Sequence, residues 1–141
     1  MNPTNTLALA GRLLIGLPFV MSGLGKLAAY GPTTAFIASV GLPVPPLAFA
    51  VAVAVELGGG LLVVSGFQTR IAAIALAVFS IVTAVSFHND FADQNQMIHF
   101  LKDVMLAGGL LQIAAFGAGS FSLDGRAAKA RGTIGGQALA T

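Results

Sequence analysis

The sequence contains no cysteine, which excludes disulfides, thiol redox chemistry, cysteine-ligated iron–sulfur clusters and haem attached through cysteine. Charge is almost as scarce. Asp, Glu, Lys and Arg make up 9% of the residues, against about 25% in an ordinary soluble domain, so the chain falls outside the ordinary soluble globular class. The net charge is only +2, and the pI near 9.5 reflects a shortage of acids, not a basic stripe; nucleic acid is excluded as a partner. The opening Met-Asn-Pro-Thr-Asn-Thr lacks the basic start of a signal peptide, and the first apolar segment therefore reads as a retained span. No nucleophile elbow, phosphate loop or diagnostic metal-ligand spacing occurs, so no metal is expected. Nor do the two halves duplicate one another as in an inverted-repeat transporter.

What is present is apolar. Hydrophobic residues make up 56% of the chain and the mean hydropathy is +0.89, gathered into four runs at about residues 7–27, 46–66, 71–87 and 98–116. Runs of that length are transmembrane helices. The expectation is an all-α, four-helix transmembrane bundle, one membrane domain over residues 1–125, with the lipid bilayer as its first partner. The Gly/Ala-rich basic tail, 126–141, has no apolar periodicity to hold it and is expected to be mobile. Arg12, Arg70, Arg126, Lys129 and Arg131 fall on one side, and Lys26 and Lys102 on the other. The positive-inside rule then places both termini in the cytosol. On the opposite face, Pro32 opens a short interfacial helix that Gly41 ends, and residues 41–46 are expected to be extended because each proline disfavours helix in its predecessor. The 18 glycines let helices approach closely; Gly58-Gly59-Gly60 and Gly108-Gly109 suggest contact between the second and fourth spans. Pro18 interrupts the first span and is expected to bend it or open a pocket.

Arg12, Gly16, Phe19, Gly23 and Lys26 follow a 4-3-4-3 spacing that puts them on one helix face. Because a charge facing lipid costs at least ~2.5 kcal/mol, that face must point inward. Glu56, at the middle of the second span, is the natural partner: Arg12 lies about five residues, or roughly 7 Å, from its depth. The pair is either a structural ion pair or the lining of a ligand site. A second group, Lys26, His88, Asp90, Asp93, His99, Lys102 and Asp103, shares the outer end of the bundle. There Lys26 could pair with Asp103, and His88 could titrate or donate a hydrogen bond to a bound carbonyl; snorkelling to the interface is the bland alternative for the Lys and His residues. Gln112 reads as glue between helices, and Asp124 as a cap or a partner of Arg126.

These residues also resemble a known family. Arg12-Leu-Leu-x-Gly-Leu-x-Phe-x-x-Ser-Gly-x-x-Lys26-Leu, then Glu56-x-Gly-Gly, Leu-Leu-Val-Val-Ser-Gly-x-x-x-Arg70, Phe87-His88, Asn95-Gln-Met-Ile-His-Phe-Leu-Lys-Asp103, Gly108-Gly109 and Gly117-x-Gly-Ser-Phe-Ser-Leu-Asp124 resemble the DoxX family in order and spacing over residues 10 to 125. Asp103 departs from it, since Asn is more usual there. The resemblance implies a four-helix bacterial inner-membrane protein whose relatives include parts of quinone-linked, thiosulfate-oxidising enzymes and membrane partners of oxidative-stress enzymes. It therefore implies a quinone, or a similar small apolar ligand, bound in the bundle. An oxidoreductase partner would supply the electron chemistry, because the chain holds no cofactor of its own. Glu56 and Arg12 are then the candidate catalytic residues, and Lys26, His88, Lys102, Asp103 and Phe19 the candidate ligand-binding ones. A homo-oligomer is compatible with this reading. Two other classes stay open: a non-enzymatic membrane scaffold or chaperone, and a small-solute transporter, which would need water along the Arg12–Glu56 face.

Overall fold

The computed structural model describes residues 2–138. It is all helical, and the elements are α1 (Pro3–Ala28), α2 (Tyr30–Ser39), α3 (Pro45–Ser65), α4 (Thr69–Phe87), α5 (Gln94–Phe116) and α6 (Leu123–Ala138). α1, α3, α4 and α5 are the four runs read from hydropathy, each long and apolar enough to cross a bilayer. Their ends are set by local chemistry. Asn2 caps α1 by accepting from the N–H of Thr4, with Pro3 in the first turn, and Asp93 caps α5 by accepting from the N–H groups of Asn95 and Gln96, so one free N–H group at the start of α1 and two at the start of α5 are satisfied. Gly66 ends α3 with φ of +71°, and the N–H groups of Gly66 and Phe67 return to the carbonyl of Leu62, the glycine-dependent C-terminal motif. α1 continues through Pro18 as a single helix.

The helices run up and down in sequence order, with α1 on α3, α3 on α4 and α4 on α5, closed by a lighter contact of α5 with α1. The core is small: Phe19, Val63, Ala72, Ala73, Leu76, Ala77, Ala107 and Leu110. Large apolar side chains such as Leu14, Met21, Ile71, Val78 and Phe116 point outward, as a lipid-facing surface requires. Because so many core residues are small, the glycines decide how close the helices come, though not between the spans expected. An added Cβ at Gly60 would lie 3.0 Å from the carbonyl of Gly16, one at Gly59 2.9 Å from Leu76, and one at Gly109 3.0 Å from Ile15. The glycines of the second span thus meet α1 and α4, and Gly109 of the fourth meets α1; Gly58 and Gly108 face open space.

One connection departs from expectation. Residues 41–46 are not simply extended: Val44, directly before Pro45, is left-handed at φ 48°, and its carbonyl receives the N–H groups of Leu47 and Ala48 at the start of α3. The segment after Asp124 is helical to Ala138. It is fastened at its start, where Asp124 N–H donates to the Gly66 carbonyl at 2.9 Å. Residues 139–141 of that tail lie outside the described residues.

Candidate functional site

Antiparallel packing of α1 on α3 fixes which charges can meet. Gly16 sits against Gly60 and Val64, and Gly23 against Leu57, so the last third of α1 lies opposite Glu56 while Arg12 lies opposite the end of α3. From Arg12 to the level of Glu56 is about eleven residues of helix, or roughly 16 Å. The expected Arg12–Glu56 pair therefore does not form. Depth counted from the ends of the apolar runs underestimated this offset, because glycine contacts, not hydropathy, set the register.

Glu56 pairs instead with Lys26. Lys26 Nζ lies 2.7 Å from Glu56 Oε2 and donates to Oε1 at 3.0 Å. Ser22, one turn before Lys26 on the same face, accepts from Nζ at 2.9 Å and donates its hydroxyl to Oε1 at 3.1 Å. The side chain of Glu56 is 8% exposed and that of Lys26 28%, so a buried carboxylate is joined to a cation that reaches the surface. Oε2, in ion-pair contact with Nζ, accepts no hydrogen bond of regular geometry and keeps lone-pair capacity. At this point α3 leaves regular α geometry for one π-helical turn, Ala54–Gly58, which carries Glu56; such single turns inside α-helices are frequent at functional sites. Sequence reading missed Ser22, although its position four residues before Lys26 is the signal that would have found it.

Arg12 is 1% exposed and serves the other end. Nη1 donates to the carbonyls of Val63 and Val64, each at 3.1 Å, and Nη2 to that of Phe121. It thereby satisfies the last turn of α3, where carbonyls lack helical partners and carry partial negative charge. It also ties that turn to the loop between α5 and α6. Gly66 must lack a side chain here, since its Cβ would fall 2.4 Å from both Arg12 Nη1 and Ser122 Cβ. The same loop is held from α1 by Asn5, which accepts from Ser120 N–H at 3.2 Å.

Asp124 is a cap, as one of the two readings had it. Its carboxylate accepts from Gln68 N–H, Thr69 N–H and the Thr69 hydroxyl at 2.9–3.0 Å. Partial burial disfavours its charge, but the hydrogen bonds from Thr69 and Gln68 and the attraction of Arg12 outweigh that and hold its pKa below the ordinary carboxylate value. A folded-state pKa that is depressed means stability fully present above the unfolded value, about 3.9, and lost as pH falls through the folded one. The expected result is that wild-type unfolding temperature drops more steeply than that of Asp124→Asn below about pH 4, measured on both proteins in the same detergent. Parallel curves would contradict this role.

The outer residues divide again. His88 and His99 stack, ring centroids 4.9 Å apart; His88 Nδ1 lies 3.0 Å from Gln96 Oε1 and His99 Nδ1 3.4 Å from Lys102 Nζ. Half-buried Asp103 lies in the field of His88, Lys102 and His99, not paired with Lys26. Among the described residues no group of His, Asp or Glu is arranged to hold a metal ion. Phe19 is core, and Gln112 is exposed, not glue between helices. The expected ligand-binding residues therefore occupy three places: Lys26 beside Glu56, Phe19 in the core, and His88, Lys102 and Asp103 at the outer end.

Comparison with known proteins matches this layout to a family. The DoxX family profile matches residues 7–89, from α1 into the turn after α4. The chain belongs to the DoxX family. It is 34% identical over 116 residues to the inner membrane protein YqjF of Escherichia coli K12, covering 82% of this chain and 88% of that one. It is 36% identical over 126 residues to the inner membrane protein YphA of the same organism, covering 85% and 89%. No solved structure matches. Four spans and these inner-membrane relatives make this DoxX protein a multi-pass inner-membrane protein.

Proposed function

We propose that this DoxX protein is a membrane subunit of a quinone-linked oxidoreductase or oxidative-stress system, that both its termini are cytosolic, and that it binds a quinone or similar small apolar ligand beside the Glu56–Lys26–Ser22 cluster. The observation that carries the reading is a buried carboxylate joined to a partly exposed lysine within a largely apolar bundle. Reducing a quinone takes two electrons and two protons. The electrons come from the partner enzyme, and the protons must be delivered where water is scarce. Lys26, Ser22 and Glu56 form a continuous set of donors and acceptors from the surface to that carboxylate. Arg12, whose Nη1 and Nη2 donate to backbone carbonyls, takes a structural role in this proposal.

The test is Glu56→Gln, which keeps shape and hydrogen bonding but cannot titrate. Melting temperature in detergent, labelling by a photoreactive quinone analogue and complementation of a knockout are measured on the same protein. The expected outcome is a folded protein that fails to complement. A stable Glu56→Gln protein that labels equally and complements fully would end the proton-handling reading and leave the non-enzymatic scaffold.

A further inference from the structure

At the end of the bundle that holds the start of α1 and all of α6, an open cavity of about 850 Å³ lies between the α3–α4 turn, the end of α5 and the first turns of α6. Its apolar wall includes Phe67, Ile71, Phe116 and Leu123, and its cations are Arg70 and Arg131. Phe116 and Ile71 are strongly exposed and sit at the last and third positions of membrane-spanning helices, so the cavity opens where the apolar surface meets the aqueous interface. Neither arginine has an ion-pair partner among the described residues. Arg70 lies across the end of α5 beside Gly117, where an added Cβ would be 3.5 Å from its Nε. The one acid in the wall, Asp124, has its carboxylate oxygens committed to Gln68 and Thr69. Two arginines against one acid leave the cavity one positive charge in excess.

We propose that this cavity is a binding site for the phosphodiester headgroup of an anionic glycerophospholipid, held by Arg70 and Arg131, with its acyl chains running down the apolar surface past Ile71 and Phe116. One excess positive charge matches the single negative charge of a phosphodiester. Guanidinium groups suit phosphate because they present paired donors, and basic pockets at helix ends on the membrane surface recognise anionic headgroups. A soluble phosphate compound would satisfy the arginines and leave the apolar wall without a partner; a lipid satisfies both. The site is independent of Glu56, and its occupancy does not depend on the proton-handling proposal.

The test uses the full chain in phosphatidylcholine vesicles with trace spin-labelled phosphatidylglycerol or spin-labelled phosphatidylcholine. The fraction of motionally restricted label gives a relative affinity. Wild type should prefer phosphatidylglycerol by about fivefold or more, the size of one basic side chain's attraction to an anionic headgroup. Arg70→Gln/Arg131→Gln should bring the ratio near parity, while Arg126→Gln, whose position is outside the cavity wall, should keep it. Helicity and melting temperature establish that each variant is folded. Should the double variant not fold, the single Arg131→Gln, at an exposed position of α6, should still lose several-fold of the preference. Parity in wild type, an undiminished preference in the folded double variant or in the single variant that replaces it, or equal loss in Arg126→Gln would overturn the site. Displacement of the labelled lipid by excess inorganic phosphate at matched ionic strength would overturn the lipid as its occupant in favour of a free phosphate.

Discussion

Lys26→Met should destabilise the bundle by about 3 kcal/mol, while Glu56→Gln should cost distinctly less. The two are partners in one ion pair, yet the effects differ because their surroundings differ. Removing the ammonium strands a carboxylate whose side chain is 8% exposed, with only the Ser22 hydroxyl left to donate to it. A buried charge that loses its counterion costs several kcal/mol. Removing the carboxylate leaves a lysine that is 28% exposed on a four-carbon stem, close to the end of α1 and able to turn its ammonium toward the interface. The double variant Lys26→Met/Glu56→Gln should recover most of the loss, because no unpaired charge remains. Thermal unfolding of the four proteins in one detergent forms a double-mutant cycle. If Lys26→Met and Glu56→Gln cost the same, or if the double variant is no better than Lys26→Met, the ion pair does not anchor α1 to α3.

This asymmetry bears on the functional proposal. A pair that served only to lock α1 to α3 would show its effects in stability. A proton-handling carboxylate would show a loss of function in Glu56→Gln at a stability close to wild type. The cycle sets the structural baseline against which complementation by Glu56→Gln is read.

Hydropathy gave the four spans to within a few residues, because only helices satisfy their backbone within lipid and a helix of about 20 residues is needed to cross. The inward face of α1 was equally legible: Arg12, Gly16, Phe19 and Gly23 are the buried residues of that helix, as a spacing that repeats the helical period requires. Who meets whom across the interface was not. Span ends fray and overhang by several residues, so depth along the membrane is blurred by a full helical turn or more. The actual register comes from Gly16, Gly23 and Gly60 seating against backbone, a fit that no single-helix pattern contains. The same limit explains the Lys26–Asp103 pairing that does not occur. The π-helical turn at Ala54–Gly58 lies inside an apolar run whose pattern does not mark a change of helical pitch. α6 carries too little apolar periodicity to be read as helix, and its hold is a tertiary one through Asp124 and Gly66.

Arg12→Met should cost about 3 kcal/mol or more, and Arg12→Lys should recover only part of it. Arg12 is 1% exposed, and its guanidinium joins three carbonyls, those of Val63, Val64 and Phe121. Hydrogen bonds to a charged group contribute roughly 1.5–3 kcal/mol each, but the loss will fall below their sum because the end of α3 can recruit water once the loop at Phe121 loosens. Methionine fills the volume and donates nothing, so the last carbonyls of α3 and the loop to α6 lose their common tie. Lysine keeps the charge but is a point donor, whereas the planar fork of arginine reaches in two directions at once, Nη1 to α3 and Nη2 to the loop. A lysine can satisfy one side only. If charge at the C-terminus of α3 were what mattered, through the helix dipole, Arg12→Lys would restore wild-type melting. If the fork is what matters, Arg12→Lys should remain destabilised, and hydrogen exchange should rise at the amides of Ser120 and Asp124, which are bonded to Asn5 and Gly66, before it rises at mid-helix amides of α4. An Arg12→Lys protein that melts as wild type, with those two amides as protected as before, would remove Arg12 from the role of clasp.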